Sequence, residues 1–224
     1  MLMRTEAFRS VQAVVSGDIE HVSSKTIFVS GGGGSPTHTT SFAVATSGPN
    51  RLLVVGVGLT DGGNLTGLTY NGVALTQAVS NDRSRLWYML DEDLPTDGAS
   101  HDLVATFADS WNCIMCPAEY KNVAQGVPAA TGDDASNFSA ECSILLSSLA
   151  TGSLVVSTAL STALVTIAHG GSQTERHHGS GTHVTITGTL SDIVGASGNT
   201  TVTEDPSGSS SATQQCAASW EKAA

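Results

Sequence analysis

Eight consecutive apolar residues, Leu52-Leu53-Val54-Val55-Gly56-Val57-Gly58-Leu59, constrain this chain more than any other stretch. A half-buried strand alternates apolar and polar residues, because successive side chains point to opposite faces. This run does not alternate, so both of its faces need apolar cover. It is far shorter than the about 18 residues of a membrane span, and its valines favour a strand. It reads as a central strand with a layer packed on either side.

From His38 onward the chain repeats one pattern: short runs rich in Val, Ile, Thr and aromatics, separated by Gly, Asn, Asp and Pro. The runs are 38–45, 51–59, 67–70, 73–79, 85–90, 102–107, 112–120, 140–146, 153–160, 164–168, 182–188, 200–204 and 212–220. Asn71-Gly72 between two of them predicts a two-residue hairpin, since a type I′ turn needs positive φ at both central positions. Charged residues are 13% of the chain, and Lys plus Arg total nine. Long amphipathic helices need such residues in bulk, so a coiled coil or helical bundle is excluded. The expected fold class is all-β, an antiparallel β-sandwich (jelly-roll-like) with an extended N-terminal arm. Within 85–90, Trp87 and Tyr88 are neighbours, so only one of the two can point inward on a regular strand.

Residues 1–35 form the arm and 36–224 the sandwich body. The arm ends in Gly31-Gly32-Gly33-Gly34-Ser35-Pro36, which reads as a hinge. The glycine run lacks the Gly-Lys-Ser/Thr ending of a phosphate loop. Two β-prone runs in the arm, 10–15 and 25–30, can add strands to a sheet of the same chain or of another. Net charge is −11, and because the arm is neutral the body carries all of it. Nucleic acid is excluded as a partner, because binding it needs a basic footprint. Acidity likewise disfavours an anionic membrane. Glu6 and Asp18 interrupt any signal-like apolar stretch, so the expectation is synthesis in a cytoplasm.

Catalytic motifs are sparse. Neither the Gly-x-Ser-x-Gly elbow of serine hydrolases nor the His-Glu-x-x-His zinc motif occurs. Cys113, Cys116, Cys142 and Cys216 read as free, buried thiols. Cys113 and Cys116 have zinc-like spacing, but residues three apart on a strand face opposite ways. His169, His177, His178 and His183 crowd together with Glu175 between glycine-rich pieces. That stretch, 170–183, reads as an exposed loop rather than a metal site. Asp61-Gly62-Gly63-Asn64, Asp91-Glu92-Asp93 and Asp133-Asp134 read as turns, since none follows a calcium-loop pattern. The expectation is no catalytic residue, no cofactor and no metal.

A resemblance rests on five segments: Asn50–Leu59, Leu68–Ala78, Arg85–Leu90, Ala118–Val123 and Ser153–Ser157. In order and spacing they resemble a β-sandwich module of tailed-bacteriophage virion proteins and bacterial surface proteins, over about residues 36–220. The resemblance implies a non-catalytic virion surface protein: a capsid decoration (cement) protein that binds the outer shell and stabilises it, or a fibre component. Its expected partners are the major capsid protein and further copies of itself, with a trimer favoured. Its expected location is the virion surface after synthesis in the host cytoplasm. The arm lies outside the resemblance and is the expected attachment segment, through Arg4, Arg9, Lys25, Ile27 and Phe28. The alternative is a carbohydrate-binding tail-fibre or adhesin module, with Trp111 as the glycan contact. A third reading, a hydrolase or metal enzyme, would use the histidines of 169–183 or a carboxylate pair.

Overall fold

We describe the protein from a computed structural model that covers residues 17–25, 27–29, 36–60, 65–109, 113–136, 141–180, 186–207 and 212–224, with backbone alone at 27–29, 136, 179 and 180. Its strands are β1 (Glu20–Ser24), β2 (Ile27–Val29), β3 (Thr37–Ala43), β4 (Leu52–Leu59), β5 (Leu65–Tyr70), β6 (Val73–Ala74), β7 (Thr76–Ser80) and β8 (Ser84–Leu90). A 3-10 turn at Asp91–Asp93 leads to β9 (Ser100–Phe107), β10 (Cys113–Lys121), β11 (Ala130–Ser136) and β12 (Cys142–Ser161). The last four are β13 (Ile167–His169), β14 (Thr174–Ser180), β15 (Thr187–Pro206) and β16 (Thr213–Trp220). The fold is all-β and its pairings are antiparallel.

Three sheets stack. The central one runs β1-β10-β4-β8-β7, with β2 also on β10. A front sheet runs β3-β9-β5-β6, and a back sheet runs β11-β16-β12-β15-β13, with β14 also on β15. Alternation along β4 divides its side chains between two cores. Leu53, Val55, Val57 and Leu59 pack with Phe42, Tyr70, Leu103 and Phe107 of the front sheet. Leu52 and Val54 pack with Leu154, Val156, Ala218 and Trp220 of the back sheet. Every residue of β4 is buried, as its unbroken apolar run requires.

The same geometry corrects one expectation. Trp87 and Tyr88 do point to opposite faces, yet both are buried: Trp87 in the front core and Tyr88 in the back core. β8 lies in the central sheet, so each of its faces is covered by a neighbouring sheet. Cys113 and Cys116 part in the same way, one into each core. All four cysteines are free and buried. The predicted hairpin is present, with Asn71 at φ 51° and Gly72 at φ 77° between paired Tyr70 and Val73.

Pro117 sits inside β10, where a proline removes a ladder donor. Its carbonyl accepts from the Lys25 N–H at 3.1 Å. The nitrogen of a strand residue lies on the same side as its carbonyl, so the missing donor falls at the break between β1 and β2. The strand tolerates it there.

The back sheet carries a fold of its own. β12 and β15 form a ribbon paired from Cys142↔Glu204 to Ser161↔Thr187, with register shifts between Leu146 and Leu154. Near those shifts Ser148, Gly152, Gly195 and Gly198 have φ of 61°, 88°, 85° and 62°. Left-handed residues on both strands bend the ribbon sharply. Its distal half then lies over the back sheet, where Ile144, Leu146 and Val202 pack on Val155, Ile193 and Ala217. Glu204 also bonds Ser191 of its own strand, which an unbent strand would carry far out of reach.

Candidate functional site

The described part of the arm is built into the central sheet. β1 pairs Glu20↔Lys121, His21↔Tyr120, Ser23↔Glu119 and Ser24↔Ala118, with a bulge between His21 and Ser23. β2 pairs Ile27↔Met115, Phe28↔Ile114 and Val29↔Cys113. Asn122 Nδ2 donates to the Asp18 carbonyl at 2.7 Å, and Lys222 Nζ lies 2.9 Å from Asp18 Oδ1. Lys25 Nζ donates to the Ser41 carbonyl at 3.0 Å, tying the edge to β3. Of the residues expected to attach, Lys25 is thus on this edge, and Ile27 and Phe28 are placed there by their backbones. Arg4 and Arg9 lie outside the described residues, as do the Gly31–Gly34 hinge and Trp111. β2 and β3, on either side of the hinge, belong to the central and front sheets respectively.

β1 meets β14 over a buried polar group. Tyr120 OH donates to Asp192 Oδ2 at 2.8 Å, and Arg176 Nε donates to the same oxygen at 2.6 Å. Ser24 Oγ reaches the Arg176 carbonyl at 3.2 Å. The His21 ring stands edge-on to Tyr120, with centroids 5.5 Å apart. Burial, and then the nearby Arg176 charge, lower the His21 pKa despite Asp192. Burial and the Asp192 carboxylate hold the Tyr120 hydroxyl far above its ordinary range.

The histidine-rich stretch is not the exposed loop its glycines suggest. Thr174–Ser180 is β14, paired along the first half of β15. A bulge between Glu175 and His177 re-aims the side chains. Arg176 turns inward to Asp192, and His177 lies opposite Leu190. Glu175 falls opposite Ser191 on the outer face, toward the folded-over half of the ribbon.

There His169 lies between two carboxylates. Its Nδ1 is 2.7 Å from Glu204 Oε2, and its Nε2 is 3.1 Å from Glu175 Oε2. His178 Nδ1 is 4.0 Å from the same Glu175 oxygen. Glu204 is fully buried, and its Oε1 accepts from Ser157 at 3.2 Å, Ser191 at 2.9 Å and Gln173 at 3.1 Å. Burial would lower the His169 pKa, but the Glu204 carboxylate held against the ring, joined by Glu175, raises it. His177 goes the other way, down to about 4, through burial and then the neighbouring His178. His183 lies outside the described residues. Among the described residues no three His, Cys, Asp or Glu side chains are grouped to hold a metal. With carboxylates near both ring nitrogens, His169 is placed to carry charge between them.

The acidic stretches have structural duties. Asp91 pairs with Arg51 at 2.6 Å. That arginine is buried and donates to the carbonyls of Ala45 at 2.6 Å, Pro95 at 2.9 Å and Leu94 at 3.2 Å. Beside this pair lies an open cleft of about 480 Å³, lined by Asn50, Glu92, Thr96 and Gln125 among others. Asp134 lies on edge strand β11 and accepts from the N–H groups of Ala135 and Ser143, both at 2.8 Å. Residues 61–64 lie outside the described residues.

Sequence reasoning missed Tyr120, Asp192 and Glu204. One signal was available: Asp192 stands between Leu190 and the Ile193-Val194 pair, and an acid on such a strand needs a partner. Compared with family models, curated proteins and solved structures, the chain matches none.

Proposed function

We propose that this chain is a structural protein of a tailed-bacteriophage virion: a decoration (cement) protein made in the host cytoplasm that binds the outer capsid surface. Its N-terminal segment bridges major capsid proteins, and further copies associate around it as a trimer. The observation that carries this reading is the placement of β1 and β2. They lie as outer strands on β10, which puts exposed Asp18 at the rim of the central sheet, at the start of the described residues. A segment delivered from a sheet edge can engage a second protein while the body stays folded. The resembling segments add support, because they coincide with β4, the β5–β6 hairpin, β8, the end of β10 and part of β12. A protein that bridges shell subunits favours the assembled shell over its parts by mass action.

The test is co-sedimentation with particles stripped of this chain, using the full chain and a version that starts at Gly17. Removing only residues 1–16 leaves both edge strands on β10. The full chain is expected to bind in copies comparable to the capsid protein, and the truncated chain to stay in the supernatant. No binding by the full chain would overturn the proposed role. Undiminished binding by the truncated chain would move the attachment site elsewhere.

A further inference from the structure

We infer that His169 is a protonation-gated clasp: charged, it ties the folded-over half of the β12–β15 ribbon to β14, and neutral, it releases that half. This is independent of the virion reading. The geometry carries it. His169 sits on β13, which pairs with residues 204–206 of the distal half of β15. Its Nδ1 lies 2.7 Å from Glu204 Oε2 of that half, an ion-pair contact whose geometry is not that of an aligned hydrogen bond. Its Nε2 meets Glu175 of β14 at 3.1 Å, and β14 pairs with residues 187–192 of the proximal half. One imidazole thus spans both halves of a bent strand.

Only the imidazolium has a proton on both nitrogens. A neutral ring turns one bare nitrogen toward a carboxylate oxygen, and the attraction on that side becomes repulsion. The other groups bonded to Glu204 are neutral: Ser157 from β12, Ser191 from β15 and Gln173 from the β13–β14 turn. His178 approaches Glu175 at 4.0 Å from along β14. Arg176 is committed to Asp192, and His177 lies opposite Leu190. Asp205, beside Glu204, is exposed and pairs with Ala168.

The surface beneath the folded half suits a layer that can lift. The back sheet turns Ser157, Ser161, Thr187, Thr189, Ser191 and Gln215 to this side, all buried. Thr189 Oγ1, Thr213 Oγ1 and Gln215 Oε1 are buried without a hydrogen-bond partner. Such atoms gain water on opening, which offsets part of the packing lost between Ile144, Leu146 and Val155. The left-handed residues at Ser148, Gly152, Gly195 and Gly198 mark the bend about which the half would turn.

The test is hydrogen exchange of the full chain, corrected for intrinsic rate, between about pH 5 and about pH 9. It is read on peptides covering 164–175 and 198–206. Protection there is expected to fall as pH rises, about tenfold for each pH unit by which the closed clasp raises the ring's titration midpoint. His169→Gln should give a flat, low profile. Glu175→Gln, at a half-exposed position, should move the fall to lower pH. A flat wild-type profile, or an unchanged fall in His169→Gln, would overturn the clasp. If His169→Gln does not fold, the ring nitrogen NMR shifts of the wild type decide. Protons on both nitrogens while the segment is protected support the clasp, and a neutral ring there overturns it.

Discussion

Gly56 on β4 and Thr158 on β12 touch across the back core with no side chain between them. A Cβ at position 56 would lie 2.5 Å from Thr158 Oγ1 and 3.0 Å from Leu190 Cδ1. Thr158 cannot swing aside freely, because its Oγ1 donates to the Thr189 carbonyl at 2.8 Å. Gly58 repeats the arrangement, with Leu160 Cδ1 at 2.6 Å from its would-be Cβ. The glycines of the apolar octet thus let the central and back sheets approach closely, with no turn or positive φ involved.

Gly56→Ala is therefore expected to destabilise the fold by about 1–3 kcal/mol, the usual range for overpacking a core. Gly67→Ala on β5 is the control, because its Cβ would meet nothing within 4 Å. It should fall within about 0.5 kcal/mol of wild type. Urea denaturation at constant slope checks both. Equal midpoints for the two variants would mean that the sheets do not meet as described.

Trp87 and Tyr88 give a second test, because adjacent residues serve different cores. Trp87 is 9% exposed in the front core, and its indole nitrogen is buried without a partner. Trp87→Phe loses no hydrogen bond and is expected to lower stability by less than about 1.5 kcal/mol. Trp87→Ala empties the site and is expected to lower it by about 3–5 kcal/mol. Thermal unfolding of both variants measures the gap. A Phe variant as weak as the Ala variant would point to a bonded indole.

Legibility in the sequence followed how local the cause was. Leu52–Leu59 declared a two-sided strand because its pattern alone demands cover on both faces, and Asn71-Gly72 declared its hairpin because positive φ is a local requirement. β11 was invisible: Ala130-Thr131-Gly132-Asp133-Asp134-Ala135-Ser136 carries no large apolar residue, and β16 makes it a strand by pairing with it. The runs 140–146 and 153–160 looked like separate strands because the bend between them is polar, yet they are halves of β12. β14 looked like a loop because glycines flank its histidines, and its pairing with β15 overrides that local signal. Glu204 and His169 meet only because the ribbon folds over, and no spacing in the chain encodes that.

The cysteines offer a chemical test of the stacked cores. Burial pushes the thiols of Cys113 and Cys216 up to about 12 and raises that of Cys116 as well. The reactive species is the thiolate, so buried, protonated thiols react slowly. The native protein is expected to show almost no labelling by a thiol-reactive chromophore at neutral pH. All four free cysteines should react at once in denaturant. Rapid native labelling of Cys113 or Cys116 would mean that the central sheet opens more readily than its buried strands imply.

His177 sets a dependence on pH opposite in sign to that of the clasp. Its folded pKa is lowered to about 4, so above the unfolded value of 6.5 the ring is neutral in both states and contributes no dependence. As pH falls from 6.5 toward about 4, the unfolded chain takes up a proton that the folded ring refuses, and stability falls. Below about 4 the folded ring is charged too, and the loss levels off. His21, also lowered by burial, adds a loss of the same sign. His177→Gln removes one of these protons and should flatten the urea midpoint over that window relative to wild type. An identical slope in both proteins would mean that His177 binds its proton as readily folded as unfolded, and that its place opposite Leu190 in the sheet leaves the ring in water.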